Sequence, residues 1–304
     1  MKQLKILFAG LANAGKTSIL RVLDDNLEVL PKLTPTPGIE YNHYQFMGLD
    51  VSIWDAGGQL NYRNYYIKEY LKYFEDTDLI FYIIDIQDES SFPESINYLK
   101  QIKEILNKLK LSDTSIIVLF HKYDPHVQNR QANLRKNIAN LRKEISQILD
   151  NYSTVFYETS IYESHTLFMA FSEGTLQKIP GSSVLHKKVK EIGMQFHSPA
   201  SILLTAKGYI YAVWHVEEIQ RDNLNKFNRS VIYLAHLVCE KLYPEFISIS
   251  LTNTDDIAAM IFPCKEQIFI YGILVPKTAD IQQIQIELKN KRENLQATLQ
   301  EVIE

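Results

Sequence analysis

The chain has 304 residues, 46% of them hydrophobic and 22% charged, with a formal charge of −4 and a sequence pI near 6.1. This is enough apolar material for a core, the length predicts two domains, and the lack of a basic excess argues against a nucleic-acid partner. Two cysteines, Cys239 and Cys264, are too few for a disulfide framework and are expected as reduced, buried thiols.

Taken in chain order, LKILFA (4–9) reads as a first strand rather than a leader, because it runs directly into a glycine motif. Gly10, Gly15, Lys16 and Thr17 fit G-x-x-x-x-G-K-[ST], with helical sequence from Lys16 to about Leu23. In such a turn, glycines let backbone N–H groups point inward at phosphate oxygens, and the helix N-terminus adds partial positive charge. Lys16 is expected to reach the β- and γ-phosphates, and the Thr17 hydroxyl to ligate Mg²⁺. The expected phosphate-binding set is Gly10, Asn13, Ala14, Gly15, Lys16, Thr17 and Ser18.

TPTPGIEY (34–41) offers Thr36, with Thr34 as the fallback, to close on Mg²⁺ and the γ-phosphate; Pro37 fixes φ beside it. YNHYQFMG (41–48) and VSIWDAGG (51–58) read as strands. In WDAGGQ (54–59), Asp55 suits a carboxylate holding Mg²⁺ through water, Gly58 offers its N–H to a γ-phosphate, and Gln59 orients the attacking water. The expected catalytic set is therefore Gln59, Lys16 and Thr36, and the metal set Thr17, Thr36 and Asp55. The aromatic run NYRNYYIKEYLKYFED (61–76) is read both as a nucleotide-sensitive surface and as a helix packing tyrosines on the sheet, with Arg63 expected at the surface.

LIFYIIDI (79–86), SIIVLFHKYD (115–124) and TVFYETSI (154–161) are almost continuously apolar, as strands covered on both faces should be. Helical stretches at 93–110, 130–149 and 166–178 lie between and after them, the first with Pro93 in its first turn and Ser90 or Ser91 as cap. This alternation predicts an α/β fold, a doubly wound, mostly parallel sheet with its ligand at the carboxyl ends of the strands. The basic stretch RKNIANLRKE (135–144) reads as a solvated helix face. In HKYD (121–124), the Asp124 carboxylate matches the N1–H and 2-amino donors of guanine. The Lys122 stem is expected to lie along the purine face with its charge in solvent. Ser160 and Ile161 are expected to offer backbone contacts to the guanine O6.

IPGSSV (179–184) marks a boundary between residues 1–180 and 183–304. Beyond it come a helix (184–196), strands at 200–206 and 209–217, a helix (221–242), three β-like stretches within 246–275 and a closing helix over about 279–302. The closing helix carries Ile281, Ile284, Leu288, Leu295 and Leu299 near one stripe, which either docks on its own domain or forms a dimer seam. This half contains no catalytic constellation, and the eight histidines lack metal-ligand spacing.

The four motifs of the first half resemble those of small GTPases of the Ras superfamily. IWDAGGQ with TPG resembles both the Arf and the Rag/Gtr families, and His121 in H-K-x-D is similar to Rag/Gtr, as is YETSIYESHTLFMAFSEGTLQKIP (157–180). That resemblance implies a Mg²⁺-dependent GTP/GDP switch with slow intrinsic hydrolysis, read by partners according to its nucleotide. It also implies GTPase-activating and exchange partners, the former supplying an arginine or other catalytic group in trans. The element order of the second half resembles a roadblock/longin-like module, which implies an α+β domain and a homo- or heterodimer made through it. In Rag/Gtr proteins an Asn is replaced by His at position 121, where Asn ordinarily braces the phosphate loop. With neither Gly at position 2 nor a prenylation box at EVIE, the chain is expected to be cytoplasmic and to reach a membrane only through a partner. The rival readings are a nucleotide-stabilised scaffold with little turnover and an Arf-like trafficking GTPase.

Overall fold

The apolar runs of the first half form the centre of one sheet in the computed structural model. The structure describes residues 3–24, 36–46, 49–128, 132–238, 245–265 and 267–303. Thr34 and Cys239, both singled out in the sequence, lie outside the described residues. Backbone contacts divide the chain into two units, Met1–Lys178 and Ile179–Glu304.

In the first unit β1 (Leu4–Gly10), β2 (Ile39–Phe46), β3 (Leu49–Ala56), β4 (Leu79–Asp85), β5 (Ser115–His121) and β6 (Thr154–Thr159) run in the order β2-β3-β1-β4-β5-β6. All neighbours are parallel except β2, which pairs antiparallel with β3. The helices are α1 (Lys16–Leu23), α2 (Leu60–Lys68), α3 (Tyr70–Phe74), α4 (Phe92–Leu109), α5 (Pro125–Gln128), α6 (Ala132–Ile148) and α7 (Ser164–Leu176).

Strand alternation explains why β4 is apolar throughout. Ile80, Tyr82 and Ile84 face one way, into a cluster with Leu99, Ile102 and Leu106 of α4. Phe81 faces the other way, stacked on Phe8 of β1 (centroids 4.8 Å apart) and on Phe171 of α7 (5.7 Å). Each such core side chain contributes about 1.5–3 kcal/mol on burial. Pro93 stands in the first turn of α4, as expected. The Ser91 hydroxyl, however, donates to the Asp88 carbonyl (2.8 Å) rather than to the helix. The aromatic run divides into α2 and α3 at Glu69, whose ψ of 38° breaks the helical path.

The second unit comprises α8 (Ser182–Gln195), β7 (Ala200–Thr205), β8 (Ile210–His215), α9 (Arg221–Val238), β9 (Phe246–Ser250), β10 (Asp255–Cys264), β11 (Gln267–Pro276) and α10 (Ile281–Ile303). Its sheet runs β8-β7-β11-β10-β9 and is antiparallel throughout. This is an α+β, roadblock/longin-like arrangement. Neighbouring residues of β7 show how the layers form. Ser201 bonds the Val189 carbonyl of α8 (3.1 Å), while Ile202 lies on the opposite face, where Gly272 of β11 approaches Val231 of α9. Of the α10 stripe, Leu288, Leu295 and Leu299 are fully buried and the helix packs on β10 and α8, while Ile281 and Ile284 remain partly exposed.

Candidate functional site

The site lies where β1, β3, β4 and β5 end. After β1 the chain turns through Gly10 (φ +151°), Asn13 (φ +63°) and Gly15 (φ +98°) before α1 starts at Lys16. A Cβ on Gly10 would stand 2.4 Å from the Ile83 carbonyl oxygen of β4, so only glycine lets the turn approach that strand. Lys16 is buried, and its Nζ donates to the carbonyls of Gly10 (3.1 Å) and Leu11 (2.8 Å), inside the curve of the loop. Burial lowers its pKa to about 8, against the opposing pull of Asp55.

Three oxygen-bearing side chains meet beside it. The Thr17 hydroxyl donates to Asp55 Oδ2 (2.6 Å) and lies 2.9 Å from the Thr36 hydroxyl. Asp55 is 1% exposed, and its Oδ1 is buried without a hydrogen-bond partner. Burial raises its pKa, partly offset by the Thr17 hydrogen bond and the charge of Lys16. A buried carboxylate oxygen left unpaired is costly. The two hydroxyls and one carboxylate are the hard oxygen donors that Mg²⁺ takes while keeping several waters, so these residues fit that ion.

The loop after β3 closes the site. Gly58 packs on the phosphate loop so tightly that a Cβ would come within 2.3 Å of Leu11 backbone atoms. The Gly57 N–H donates to the Gly38 carbonyl (2.8 Å), which also accepts the Tyr66 hydroxyl (2.7 Å). Gln59 is half-exposed at the start of α2. Arg63, expected at the surface, is instead 6% exposed. Its Nε donates to the Gly58 carbonyl (2.9 Å), its guanidinium pairs with Glu94 of α4, and it lies 5.0 Å from the Tyr98 ring centre. Helical spacing returns it toward Gly58, and α4 supplies the acid; neither partner is visible locally in the sequence.

At the end of β5 the His121 ring packs on the phosphate loop, its Cδ2 2.5 Å from where a Gly15 Cβ would be. Its Nδ1 lies 3.0 Å from the Thr159 hydroxyl, and burial lowers its pKa to about 4, so the ring is neutral. A buried imidazole thus braces the loop by packing. The Lys122 Nζ is not in open solvent as expected: it pairs with Asp85 Oδ2 at the end of β4 (2.5 Å). Asp124 accepts the Ser160 hydroxyl on Oδ1 (2.5 Å) and the Gln87 amide on Oδ2 (2.9 Å). Ser160 therefore reaches the motif through its side chain, since its backbone N–H donates to the Thr166 hydroxyl (3.2 Å). Ile161 follows it in the turn after β6. Asp85 and Gln87 were missed in the sequence; their position at and just past the end of β4, at the ligand edge of the sheet, was the available signal.

Asn13, Gly15, Lys16, Thr17, Ser18, Thr36, Gly58, Gln59 and Lys122 line one cleft of about 310 Å³, so the phosphate-loop, switch and base motifs share a single site. Gly10 and Ala14 shape the turn behind it: Ala14 is buried, and its N–H donates to the Leu11 carbonyl (3.4 Å). A groove of about 440 Å³ between α4 and α6 contains none of these residues.

Fold and site together define a P-loop protein of the small GTPase class. The chain belongs to the Gtr1/RagA G protein family, whose conserved region matches residues 5–233 and so extends beyond the first unit. It is 37% identical over 123 residues to ADP-ribosylation factor-like protein alp41 of Schizosaccharomyces pombe, covering 40% of this chain and 61% of that protein. It is 35% identical over 120 residues to ADP-ribosylation factor-like protein 3 of Chlamydomonas reinhardtii, covering 40% and 63%. The chain thus spans about three-fifths of the length of the curated relatives it matches. Among solved structures, the Arl6 BBS3 small GTPase from Trypanosoma brucei with bound nucleotide analogue GppNp gives a TM-score of 0.46 at 16% identity, over 57% of this chain and 96% of that one.

Proposed function

We propose that the chain is a guanine-nucleotide switch that hydrolyses GTP slowly on its own. The observation that carries this reading is the buried, unpartnered Asp55 Oδ1 beside Thr17 and Thr36, at the mouth of a loop already holding Lys16. Lys16 and the N–H groups of the loop and of Gly58 hold the β- and γ-phosphates. Thr17, Thr36 and Asp55 would hold Mg²⁺, which when bound would neutralise charge on the phosphate oxygens. Gln59 orients the attacking water in line with the γ-phosphate. Asp124, braced by Ser160, selects guanine, with Lys122 along the purine face. Loss of the γ-phosphate releases Thr36 and Gly58, which is how a partner distinguishes the two states.

Arg63 is committed to Gly58 and Glu94, so acceleration by an arginine must come from a GTPase-activating partner; an exchange partner resets the switch. The second unit, an antiparallel sheet between helices, is proposed as the surface for a homo- or heterodimer. Among the described residues no helix is long and apolar enough to cross a membrane, and membrane recruitment is proposed to occur through partners.

The test is to denature the purified protein, identify the released nucleotide, then measure single-turnover hydrolysis. Guanine nucleotide is expected. Gln59→Leu should clearly lower the hydrolysis rate, because nothing else then orients the attacking water, while leaving GTP affinity nearly unchanged. Adenine nucleotide, or unaltered turnover in the variant, overturns the proposal.

A further inference from the structure

The last residue of β4 and the turn after it grip the H-K-x-D motif at three atoms. Asp85 Oδ2 accepts the Lys122 Nζ, and the Gln87 Nε2 donates to both the Lys122 carbonyl (2.6 Å) and Asp124 Oδ2 (2.9 Å). The Gln87 backbone N–H also bonds Asp85 Oδ1 (2.9 Å), so both residues of the grip are tied to each other. Gln87 is exposed and belongs to no apolar cluster, yet both amide hydrogens are turned into the motif. Lys122 itself sits at φ +65°, a conformation that a non-glycine residue holds only when its surroundings fix it.

We infer that Gln87 is a positioning residue for base recognition, orienting the Asp124 carboxylate so that it can take both Watson–Crick-edge donors of guanine at once. This rests on the guanine reading above. A carboxylate has about four lone-pair sites. Ser160 takes one on Oδ1 and Gln87 takes one on Oδ2, each oxygen keeping one for the ligand. Two sites remain for two donors, N1–H and the 2-amino group, and the two protein donors fix the carboxylate plane in which they lie. Without Gln87, Oδ2 is free to turn, and one of the two base contacts is lost first.

The test compares GDP with IDP, which lacks the 2-amino group, by calorimetric titration of the full chain with Mg²⁺. The variant is Gln87→Met, of similar volume without the donors, and folding is checked by its melting curve. The wild type should prefer GDP. The variant is expected to lose about tenfold in GDP affinity, the worth of one charge-assisted hydrogen bond, and no more than about threefold for IDP, narrowing the ratio. GDP binding by the variant that equals or exceeds the wild type overturns the inference, as do equal losses for both nucleotides. Wild-type protein that binds neither nucleotide defeats the guanine reading itself, a result distinct from a variant that behaves like the wild type.

Discussion

At the residue scale the site is defined by side chains whose partners are already fixed. His121 is a case where protonation can be read out. Its folded pKa of about 4 lies below the usual value near 6.5, so between these pH values the unfolded chain binds the extra proton and the folded chain does not. Stability from this group is therefore present above about pH 6.5 and is lost as pH falls toward 4, by up to about 3 kcal/mol. Denaturant titrations at pH 7 and pH 4.5 should show a smaller loss for His121→Asn than for the wild type; equal losses would refute the assignment. Arg63→Ala should cost about 1–3 kcal/mol by leaving the Gly58 carbonyl without its donor, and Arg63→Lys should recover little, because one ammonium cannot serve Gly58 and Glu94 in the same planar fork. The midpoint of urea unfolding measures both. Gly10, Lys16, Thr17, Asp55 and Asp124 were legible in the sequence because their chemistry sits in short, fixed spacings. The partners of Arg63 and Asp124 were not: Glu94 and Gln87 lie 31 and 37 positions away from them, and only the packing of α4 and the end of β4 brings them in.

At the element scale the parallel strands were readable from their unbroken apolar runs, and the helices between them from length and a well-placed proline. The division of the aromatic run into α2 and α3 was not, since it turns on the backbone at Glu69 alone. Nor was the order β8-β7-β11-β10-β9, because antiparallel strands of similar composition pair by register and layer packing, which local pattern does not encode. The fit of α7 to the sheet gives a test. A Cβ on Gly174 would meet Ile117, Phe81 and Leu79 at 3.0, 3.1 and 3.3 Å. Alanine gains up to about 1 kcal/mol in helix propensity, but overpacking a buried contact costs about 1–3 kcal/mol. Gly174→Ala should therefore lower the melting temperature, and a rise would show that the sheet yields there.

At the scale of the whole molecule, each unit has its own sheet and its own buried helices. If the proposed site holds, adding GDP with Mg²⁺ at a hundred times its dissociation constant should stabilise the first unit by about 2.7 kcal/mol. Hydrogen exchange resolved by peptide should show that protection in β1, α1, β4 and β5; its absence from these elements would contradict the site. The approach of Gly10 to the Ile83 carbonyl bears on how relatives of this chain can decay over evolutionary time. That glycine is demanded by the seating of the loop against the neighbouring strand, whether or not a nucleotide ever arrives, whereas the two loop carbonyls that Lys16 bonds can be met by water in its place. A descendant that abandoned its ligand would be free to lose the lysine while selection for folding kept the glycine. In a lineage of degenerate copies, the first glycine of the motif marks a foldable protein, and the lysine marks a working one.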